Sequence, residues 1–376
     1  MRFLHDAWWR LATSPSQSFT ENFIRGILRV AAWLYGCAMR VRNAAYDRGW
    51  LRQDRLPCPV ISVGNLSVGG TGKTTCVEYL ATKLTQLEMR VGVLSRGYGG
   101  RMRECRLVSQ NGQLLVDGRP VSASDGLPDE PQLLAMRLPE VPVLVGARRE
   151  RTGQTALSQF QTNVLLLDDG FQYRRLRRDC EIVLISARMP LAGWPLLPRG
   201  PMREPLESLR RADVILVTKA DQSLERLAAL QERLKSFNPE AVLATAIHEP
   251  EVLRDWATGE RLAKDHLAGS RVSLVSSIGD PEGFEETVRS LDAAVASHAA
   301  FPDHYQYSAP EWERILRDAA ASGATALVTT EKDAVRLQPF RQAPRSRLPV
   351  FVLSVRMRLL SGEEQLNDRL VRVCAR

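Results

Sequence analysis

The chain has 376 residues, enough for one large hydrophobic core or, as we expect, two cores of ordinary size. Its apolar content of 44% and charged content of 25% are typical of a globular protein, its apolar runs are too short to cross a bilayer, and its six scattered cysteines include no CxxC pair, which indicates a reducing compartment. The net charge of +8 favours an anionic partner, such as a nucleotide, a nucleic acid or a negatively charged membrane surface.

The first predicted element, residues 1–50, is a helical segment. Its opening stretch interrupts every apolar run with Asp6, Arg10 or Pro15, so we expect no cleaved secretion signal. Residues 22–47 contain no proline, which permits a long helix. At about 100° per residue, their polar and small side chains form one narrow stripe: Asn22, Arg25, Arg29, Ala32, Gly36, Arg40, Asn43 and Asp47. The remaining helix surface is mostly apolar and aromatic.

This composition leaves two interpretations of the helix open. Residues 1–60 carry nine arginines against four acidic side chains, and arginines beside aromatic rings suit the headgroup layer of an anionic membrane. The same pattern is also typical of an N-terminal helix that packs on the protein's own core. The two interpretations are compatible with each other.

The next element is a glycine-rich loop, VGNLSVGGTGKTT (63–75), between a predicted buried strand (59–63) and a predicted amphipathic helix. Strand, loop and helix in this order are typical of a P-loop, in which backbone N–H groups and a lysine bind phosphate and a hydroxyl reaches Mg²⁺. The predicted nucleotide-binding residues are Ser67, Val68, Gly69, Gly70, Thr71, Gly72, Lys73, Thr74 and Thr75. Ser67 stands where the strict signature has glycine, so a simple glycine-rich turn is the alternative.

Short, β-branched apolar runs continue along the chain and alternate with helical patterns. The runs are VGVLS (91–95), VPVLV (141–145), NVLLLDD (163–169), EIVLIS (181–186) and DVILVTKAD (213–221). They are typical of parallel strands buried on both faces, and they predict a doubly wound α/β domain of the P-loop type. A second, smaller set of strands and helices follows, so we expect a boundary near residue 222, with a nucleotide-binding domain at 51–222 and a C-terminal α/β domain at 223–376.

Adjacent carboxylates end one of these predicted strands. Asp168 and Asp169 lie at the carboxyl end of NVLLLDD, the edge at which ligands bind in open α/β sheets. In P-loop enzymes such an aspartate holds Mg²⁺ together with the loop hydroxyl, here Thr74. Two solvated turn aspartates are the alternative.

Other charged residues are less informative by themselves. Basic clusters at 147–153 and 171–179 fit either a solvated face or contacts with substrate phosphates, and the few aromatic residues among them argue against nucleic acid. Asp129 and the Asp303–His304 pair lie in predicted loops, where a surface position is the ordinary interpretation.

Several strings in this order resemble the tetraacyldisaccharide 4′-kinase family, the lipid A kinases, over nearly the whole chain. They are VGNLSVGGTGKT, LSRGYGG (94–100), DEPQLLA (129–135), LDDGFQYRRLRRD (167–179), LLPRGPMREP (196–205), FPDHYQYS (301–308) and TTEKDAVRL (329–337). The resemblance implies transfer of the ATP γ-phosphoryl group to the 4′-hydroxyl of a tetraacylated glucosamine disaccharide 1-phosphate. It also implies a location on the cytoplasmic face of the bacterial inner membrane and two domains that close over the site.

The resemblance also implies roles for individual residues. Asp129 and His304 would form the catalytic pair, Lys73 and Thr74 would serve ATP, and Asp168 and Asp169 would serve Mg²⁺. Further residues would line the site: Arg96, Arg149, Gln172, Arg203 and Glu204. Two positions depart from the family pattern, because Pro128 precedes Asp129 and Tyr173 replaces a histidine after Gln172. Pro128 restrains the backbone beside Asp129, and Tyr173 does not titrate near neutral pH as a histidine does.

Two further function classes compete with the lipid kinase. A membrane-associated nucleotide switch would bind a partner in a nucleotide-dependent way without turning over lipid. A small-molecule kinase, whose N-terminal helix only packs on the core, would be fully active without lipid or detergent.

Overall fold

The computed structural model describes residues 18–97, 104–110, 113–121, 125–190, 193–341 and 348–375. Residues 1–17 of the expected surface segment and residues 98–100 of the LSRGYGG motif lie outside these ranges. In the described chain, no helix is both long enough and apolar enough to span a bilayer.

The helices and strands alternate along much of the chain. The helices are α1 (Phe19–Asp47), α2 (Lys73–Gln86), α3 (Asp129–Arg137), α4 (Arg149–Phe160), α5 (Leu224–Phe237), α6 (Pro281–Arg289), α7 (Ala309–Ala321), α8 (Glu331–Leu337) and α9 (Glu363–Cys374). The strands are β1 (Val60–Asn65), β2 (Val91–Ser95), β3 (Cys105–Gln110), β4 (Gln113–Val116), β5 (Arg119–Pro120), β6 (Val143–Val145), β7 (Val164–Asp168), β8 (Cys180–Ser186), β9 (Val214–Thr218), β10 (Val242–Asp255), β11 (Arg261–Leu262), β12 (Arg271–Ser276), β13 (Ala294–Ala300), β14 (Ala326–Thr330) and β15 (Val350–Ser361).

All these strands belong to one sheet. Its order is β13-β12-β14-β15-β10-β9-β8-β1-β7-β2-β6-β3-β4-β5, with β11 on β10. The central strands from β9 to β6 are parallel, and every residue of β1, β2, β6, β7 and β9 is buried. Helices cover both faces, so continuous apolar runs are the expected strand sequence. The predicted parallel α/β fold is confirmed, and β1 lies between β7 and β8.

Strand β10 joins the two parts of the sheet. Its first residues, Val242–Thr245, pair in parallel with β9, and Ala246–Asp255 pair antiparallel with β15. Beyond β15 the sheet is parallel again through β14, β12 and β13. Helix α5 contributes Leu230 and Leu234 to the core below β8 and β9, and α9 packs in the core of the P-loop part. The chain therefore passes into the second part of the sheet within β10. It returns to the P-loop part at the C-terminal end, with α9.

Several strands have no clear signal in the sequence. Strands β3, β4 and β5 form an antiparallel edge after β6, and β13 is rich in alanine and only partly buried. Their side chains are mixed or small, so the apolar runs that indicate central strands are missing. Strand pairing with an existing sheet edge places them instead.

Helix α1 packs on the protein with part of its polar and small stripe, namely Ala32, Gly36 and Asn43. Its most buried positions are Ala32, Gly36, Met39 and Asn43, whereas large apolar side chains face outward. A Cβ atom on Gly36 would lie 2.8 Å from Leu196 Cδ1, so a larger residue would require the Leu196 side chain to shift. The helix thus presents an apolar surface to its surroundings, the reverse of an ordinary surface helix.

Candidate active site

The glycine-rich loop has the backbone conformation that phosphate binding needs. Gly69 and Gly72 have φ values of 109° and 84°, a region that favours glycine, and Gly72 caps the N-terminus of α2. Lys73 and Thr74 are the first residues of α2, where free N–H groups and the helix dipole attract anions. Ser67, at the position where the strict signature has glycine, is buried and forms an isolated β-bridge with Met202, which holds its backbone in the loop wall.

Neighbouring elements hold the loop in place. The Asn65 amide donates to Thr71 Oγ1 (2.7 Å), and Thr218 Oγ1 at the end of β9 donates to the Thr71 carbonyl (3.0 Å). Lys219, with a φ of 57°, donates to the Gly70 carbonyl (2.8 Å) and pairs with Asp280, the N-cap of α6. The second part of the sheet therefore contacts the loop through Asp280.

The two predicted magnesium carboxylates differ in their surroundings. Asp169 accepts two 2.9 Å hydrogen bonds from the Arg203 guanidinium and lies 3.6 Å from Lys73 Nζ. Burial alone would raise its pKa, but Lys73 and Arg203 hold the pKa below its usual range. Asp168 accepts from Ser95 Oγ at 3.1 Å, and burial, together with the charges of Glu130 and Asp169, raises its pKa to about 7.

This arrangement fits a divalent cation. Asp168 is a buried, hard oxygen donor whose neighbours Glu130 and Asp169 are also anionic, and a bound Mg²⁺ would add positive charge beside these carboxylates. Thr74 supplies a hydroxyl at the start of α2. Among the residues that the structure describes, no group of three or more His, Cys, Asp or Glu side chains forms a complete metal cage. Mg²⁺ usually keeps several waters and substrate phosphate oxygens as ligands, so a full protein cage is not required.

Asp129 and His304 are in contact across the two parts of the molecule. Asp129 begins α3, directly after the cap residue Pro128, and His304 lies in the loop before α7 with a left-handed φ of 61°. His304 Nδ1 is 3.1 Å from Asp129 Oδ1 and 3.2 Å from Oδ2. Because an ionised carboxylate can only accept, Nδ1 carries the hydrogen.

Charged partners set the protonation of this pair. Burial would raise the pKa of Asp129, but the His304 hydrogen bond and the charges of Arg336 and Lys332 hold it well below its usual range. Burial would lower the pKa of His304, and the carboxylates of Asp129 and Asp303 raise it instead. Asp129 is therefore ionised at neutral pH.

Two cations of α8 were missed as site residues by the sequence reasoning. Arg336 contacts Asp129 Oδ2, and Lys332 Nζ lies 2.5 Å from Glu130 Oε1 and 3.8 Å from Asp303 Oδ1. Both belong to the TTEKDAVRL motif, for whose individual residues the family resemblance implied no roles. Lys332 and Arg336 are four positions apart and therefore share one face of α8, so the motif spacing was the available signal.

The predicted lining residues are placed unequally. Arg149 is buried, stacks 4.5 Å from the Tyr173 ring and is close enough to Asp168 and Asp169 for their charges to raise its pKa, although burial lowers the pKa overall. Arg96 is exposed, and its charge reaches Arg149. Gln172 donates to the Asn65 carbonyl at 3.0 Å. Arg203, Arg149 and Gln172 thus surround the end of β7 and the loop.

Glu204 does not join this group. Its carboxylate is fully buried, accepts from Asn43 of α1 (2.9 Å) and pairs with Arg211 (3.0 Å). Next to it, Tyr35 of α1 donates to the Arg203 carbonyl at 2.8 Å. Residues 203 and 204 therefore connect the site to α1, with Arg203 facing Asp169 and Glu204 facing the helix.

Tyr173, where the family pattern has histidine, takes a structural position. Its hydroxyl donates to Glu150 Oε2 (2.5 Å) and accepts from the Arg149 backbone N–H (3.2 Å). Burial and Glu150 raise the pKa of Tyr173 to about 12, so it remains a neutral hydrogen-bonding group. The residue orients the start of α4, which carries Arg149.

Transfer of a phosphoryl group to a hydroxyl requires a phosphate cradle, cations for the charge and a group for the proton. The site contains groups of these three kinds: the loop at β1, the basic side chains around Asp169 and the Asp129–His304 pair. The fold and the site define a P-loop phosphotransferase.

Comparison with known proteins identifies the particular family. The family model for LpxK, tetraacyldisaccharide-1-P 4′-kinase, matches residues 24–375. A tetraacyldisaccharide 4′-kinase of Anaeromyxobacter dehalogenans (strain 2CP-C) is 41% identical over 372 residues, covering 98% of this chain and 95% of the relative. A relative with the same name from Geobacter sulfurreducens is 37% identical over 357 residues, covering 94% and 95%. The crystal structure of LpxK from Aquifex aeolicus in complex with ATP has 34% identity and a TM-score of 0.71, covering 93% of this chain and 99% of that one.

The chain belongs to the tetraacyldisaccharide-1-P 4′-kinase family. It is an ATP-dependent phosphotransferase of lipid A precursor synthesis, and the expected enzyme class is confirmed. The nucleotide switch and the small-molecule kinase, which the sequence had left as alternatives, are not supported.

Proposed function

We propose that the P-loop holds the β- and γ-phosphates of ATP and that the γ-phosphoryl group passes to the 4′-hydroxyl of a tetraacylated disaccharide 1-phosphate. One observation carries this assignment: Glu130, the neighbour of Asp129, lies close enough to Lys73 for that cation to help lower its pKa, and close enough to Asp168 to help raise the pKa of that carboxyl. The proton-handling pair and the phosphate-binding residues therefore lie in one electrostatic unit. An acceptor hydroxyl beside Asp129 would lie near the γ-phosphate.

Each side chain has a physical role in this proposal. Lys73 places its charge against the phosphates, and Arg203 and Arg149 add positive charge around the end of β7. Thr74, Asp168 and Asp169 would hold Mg²⁺, which neutralises charge on the β- and γ-phosphate oxygens. The hydroxyl proton leaves for the Asp129–His304 pair, whose hydrogen bond fixes both groups before the substrate arrives.

A cavity beside the P-loop suits the nucleoside end of ATP. It has a volume of about 820 Å³, and its lining includes Asp221, Gln222, His248 and Arg358. His248 Nε2 is 3.2 Å from Thr75 Oγ1, and burial lowers the pKa of His248 to about 3, so the ring is neutral. The cavity therefore continues from the first turn of α2, where the phosphates would end.

We further propose that α1 lies on the anionic surface of the cytoplasmic membrane, which holds the acyl chains of the substrate. The outward side chains of α1 are apolar and well exposed: Phe23 65%, Ile27 56%, Val30 61%, Trp33 64%, Leu34 56% and Val41 69%. An apolar strip of this length on a helix that already packs by its other face is typical of an interfacial helix.

The reaction is tested by incubating the pure protein with ATP and the disaccharide lipid and locating the new phosphate by mass spectrometry. We expect phosphate at the 4′ position, and no product from the Lys73→Ala protein. Phosphate at another hydroxyl, or equal product from the variant, would contradict the assignment.

The membrane proposal is tested by flotation with anionic vesicles. Replacing Val30, Trp33 and Leu34 by serine should reduce flotation, because the apolar face is lost. Leu224→Ser on α5 is the matched control, since Leu224 is 69% exposed and remote from α1 in sequence. Equal flotation of the triple variant and the control would leave α1 as a packing helix only.

A further inference from the structure

Arg336 occupies a buried position between the catalytic pair and the second part of the sheet. Its side chain is 2% exposed, and Nη2 contacts Asp129 Oδ2 while lying 3.3 Å from His304 Nδ1. The other nitrogen, Nη1, donates to the carbonyl and to the hydroxyl of Ser277, both at 2.6 Å. One guanidinium therefore touches both members of the pair and a backbone group of the loop after β12.

A second buried carboxylate fixes the guanidinium from behind. Asp333, one helical turn earlier on α8, lies 3.2 Å from Arg336 Nη1 and is fully buried. Asp333 accepts two hydrogen bonds from the Ser277 backbone N–H (3.1 and 3.0 Å) and others from Thr330 Oγ1 (2.7 Å) and Tyr307 Oη (3.1 Å). With so many donors, the Asp333 carboxylate has little freedom to move, and neither has Arg336.

The same network restrains the loop that carries His304. Tyr307 is three residues beyond His304, its ring packs against Phe301 and Tyr305, and its hydroxyl donates to Asp333. His304 itself has a left-handed backbone, a conformation that a non-glycine residue keeps only where its surroundings impose it. The Arg336–Asp333 pair thus holds the Asp129 carboxylate directly and the His304 loop through Tyr307.

We propose that Arg336 is a positioning residue for phosphoryl transfer: its forked guanidinium fixes the Asp129 carboxylate so that Oδ1 stays aligned with His304 Nδ1. The inference rests on the proposed acid–base role of that pair. Lysine offers a point charge and cannot contact Asp129 and Ser277 at once, so shape as well as charge is required. Arg336 does not touch the reacting atoms; it acts through Asp129.

The charge of Arg336 also contributes to the state of Asp129. Other charged groups near this carboxylate are His304, Lys332, Asp303 and Glu130. Removing one of the cations raises the pKa of Asp129, so the acidic limb of the kcat profile should move to higher pH. A residue that served only stability would lower the amount of folded enzyme without moving that limb.

The experiment compares Arg336→Lys and Arg336→Met with Arg137→Lys in the full-length enzyme. Arg137 is the matched control because it lies on α3 with Asp129 and pairs with Glu331 of α8, as well as with Glu78 of α2 and Glu251 of β10, yet its ion pairs do not include Asp129. Measurements are kcat against pH, the nucleotide Kd and thermal unfolding.

We expect Arg336→Lys to lower kcat roughly 10- to 100-fold, a typical loss for a partner that orients a functional group, with little change in nucleotide Kd. Arg336→Met should lose more and shift the acidic limb upward. If the Arg336→Met protein does not fold, the Arg336→Lys protein alone tests the proposal. A lower kcat with an unchanged nucleotide Kd supports it. Arg137→Lys should keep the wild-type pH profile.

A normal kcat for Arg336→Lys would overturn the proposal, and so would losses that match Arg137→Lys with an unchanged pH profile. Asp129→Asn separates this failure from a failure of the catalytic pair. If Asp129→Asn keeps its kcat, the acid–base role itself is wrong. If Asp129→Asn loses activity while Arg336→Lys does not, only the positioning role is wrong.

Discussion

Asp129 and Asp168 are both buried carboxylates of the same site, but the charges around them are opposite. Asp129 is surrounded by Arg336, Lys332 and His304, which keep it ionised. Burial and the negative charges of Glu130 and Asp169 raise the pKa of Asp168 to about 7, although Lys73 and a hydrogen bond from Ser95 oppose this. The protein's own cations thus outweigh the effect of burial at Asp129 and do not at Asp168, where the proposed Mg²⁺ would add positive charge.

A raised carboxyl pKa does not by itself define a ligand site, as the carboxylates around Arg137 illustrate. Arg137 pairs with Glu78 (2.7 Å), Glu251 (2.6 Å) and Glu331 (2.5 Å), three acids on one arginine. Burial and the neighbouring acids raise the pKa of Glu78 to about 7 although Arg137 opposes this. This group joins α2, α3, β10 and α8 by ion pairs, so we expect it to act on stability. Position at the carboxyl ends of the strands distinguishes Asp168.

The largest effect is expected from removing a member of the Asp129–His304 pair. Asp129→Ala or His304→Ala should lower kcat by about 10²- to 10⁴-fold, the usual contribution of acid–base catalysis. The double variant should lose little more, because two groups acting as one unit are not additive. Single-turnover kinetics measure this, and additive losses in activation free energy would show that the residues act separately.

The control for that cycle is a second histidine–carboxylate pair. His298 Nδ1 lies 3.0 Å from Glu285 Oε2, the same type of contact on β13 and α6. Alanine at either position should leave kcat close to the wild-type value. A comparable loss there would indicate that such pairs matter for stability and not for chemistry.

The second largest effect is expected from neutralising Asp168. Asp168→Asn should reduce turnover on the order of 100-fold and raise the Mg²⁺ concentration needed for half activity, because a neutral amide binds the metal weakly. Glu181→Gln is the control, since Glu181 is a buried carboxyl at the opposite end of the sheet, at the start of β8. An unchanged Mg²⁺ titration in Asp168→Asn would make Asp168 a structural residue.

A smaller effect is the pH dependence of the Mg²⁺ requirement. The pKa of Asp168 is raised to about 7, so the carboxyl is protonated below that pH and the metal must displace the proton. The Mg²⁺ concentration for half activity should therefore increase up to about tenfold per pH unit below 7 and level off above it. Titrations from pH 5.5 to 8.5 measure the curve. An Mg²⁺ requirement that does not change with pH across this range would contradict the raised pKa of Asp168.

The smallest effect concerns the structural carboxylates at Arg137. The Glu78 pKa is higher in the folded protein than in the unfolded chain, so the folded state binds more protons, and stability falls as pH rises from about 4.5 to 7. Glu78→Gln keeps an acceptor for Arg137 and removes the excess charge. It should raise the free energy of unfolding at pH 8 by about 1–3 kcal/mol and flatten its pH dependence. Thermal unfolding at pH 5.5 and 8 tests this, and an unchanged slope would contradict it.

Much of the central fold could be predicted because local patterns carry it. Continuous apolar runs marked β1, β2, β7, β8 and β9, and the glycines of the loop marked a backbone that only glycine adopts easily. Asp168 and Asp169 followed from their place after a buried strand. The edge strands β3–β5 could not be found in this way, because pairing with a neighbour and not their own composition makes them strands.

The sequence by itself determined the glycine-rich loop, the place of Asp168 and Asp169 after a buried strand and the long helix α1, since each depends on residues close together in the chain. Only the tertiary structure decided which face of α1 packs on the protein, that Glu204 binds α1 and that Arg336 and Lys332 surround Asp129. Arg336 and Asp129 are 207 residues apart, and their contact depends on how β10 joins the two parts of the sheet. Local sequence periodicity does not predict such long-range pairs, because burial and charge balance in the folded molecule determine them.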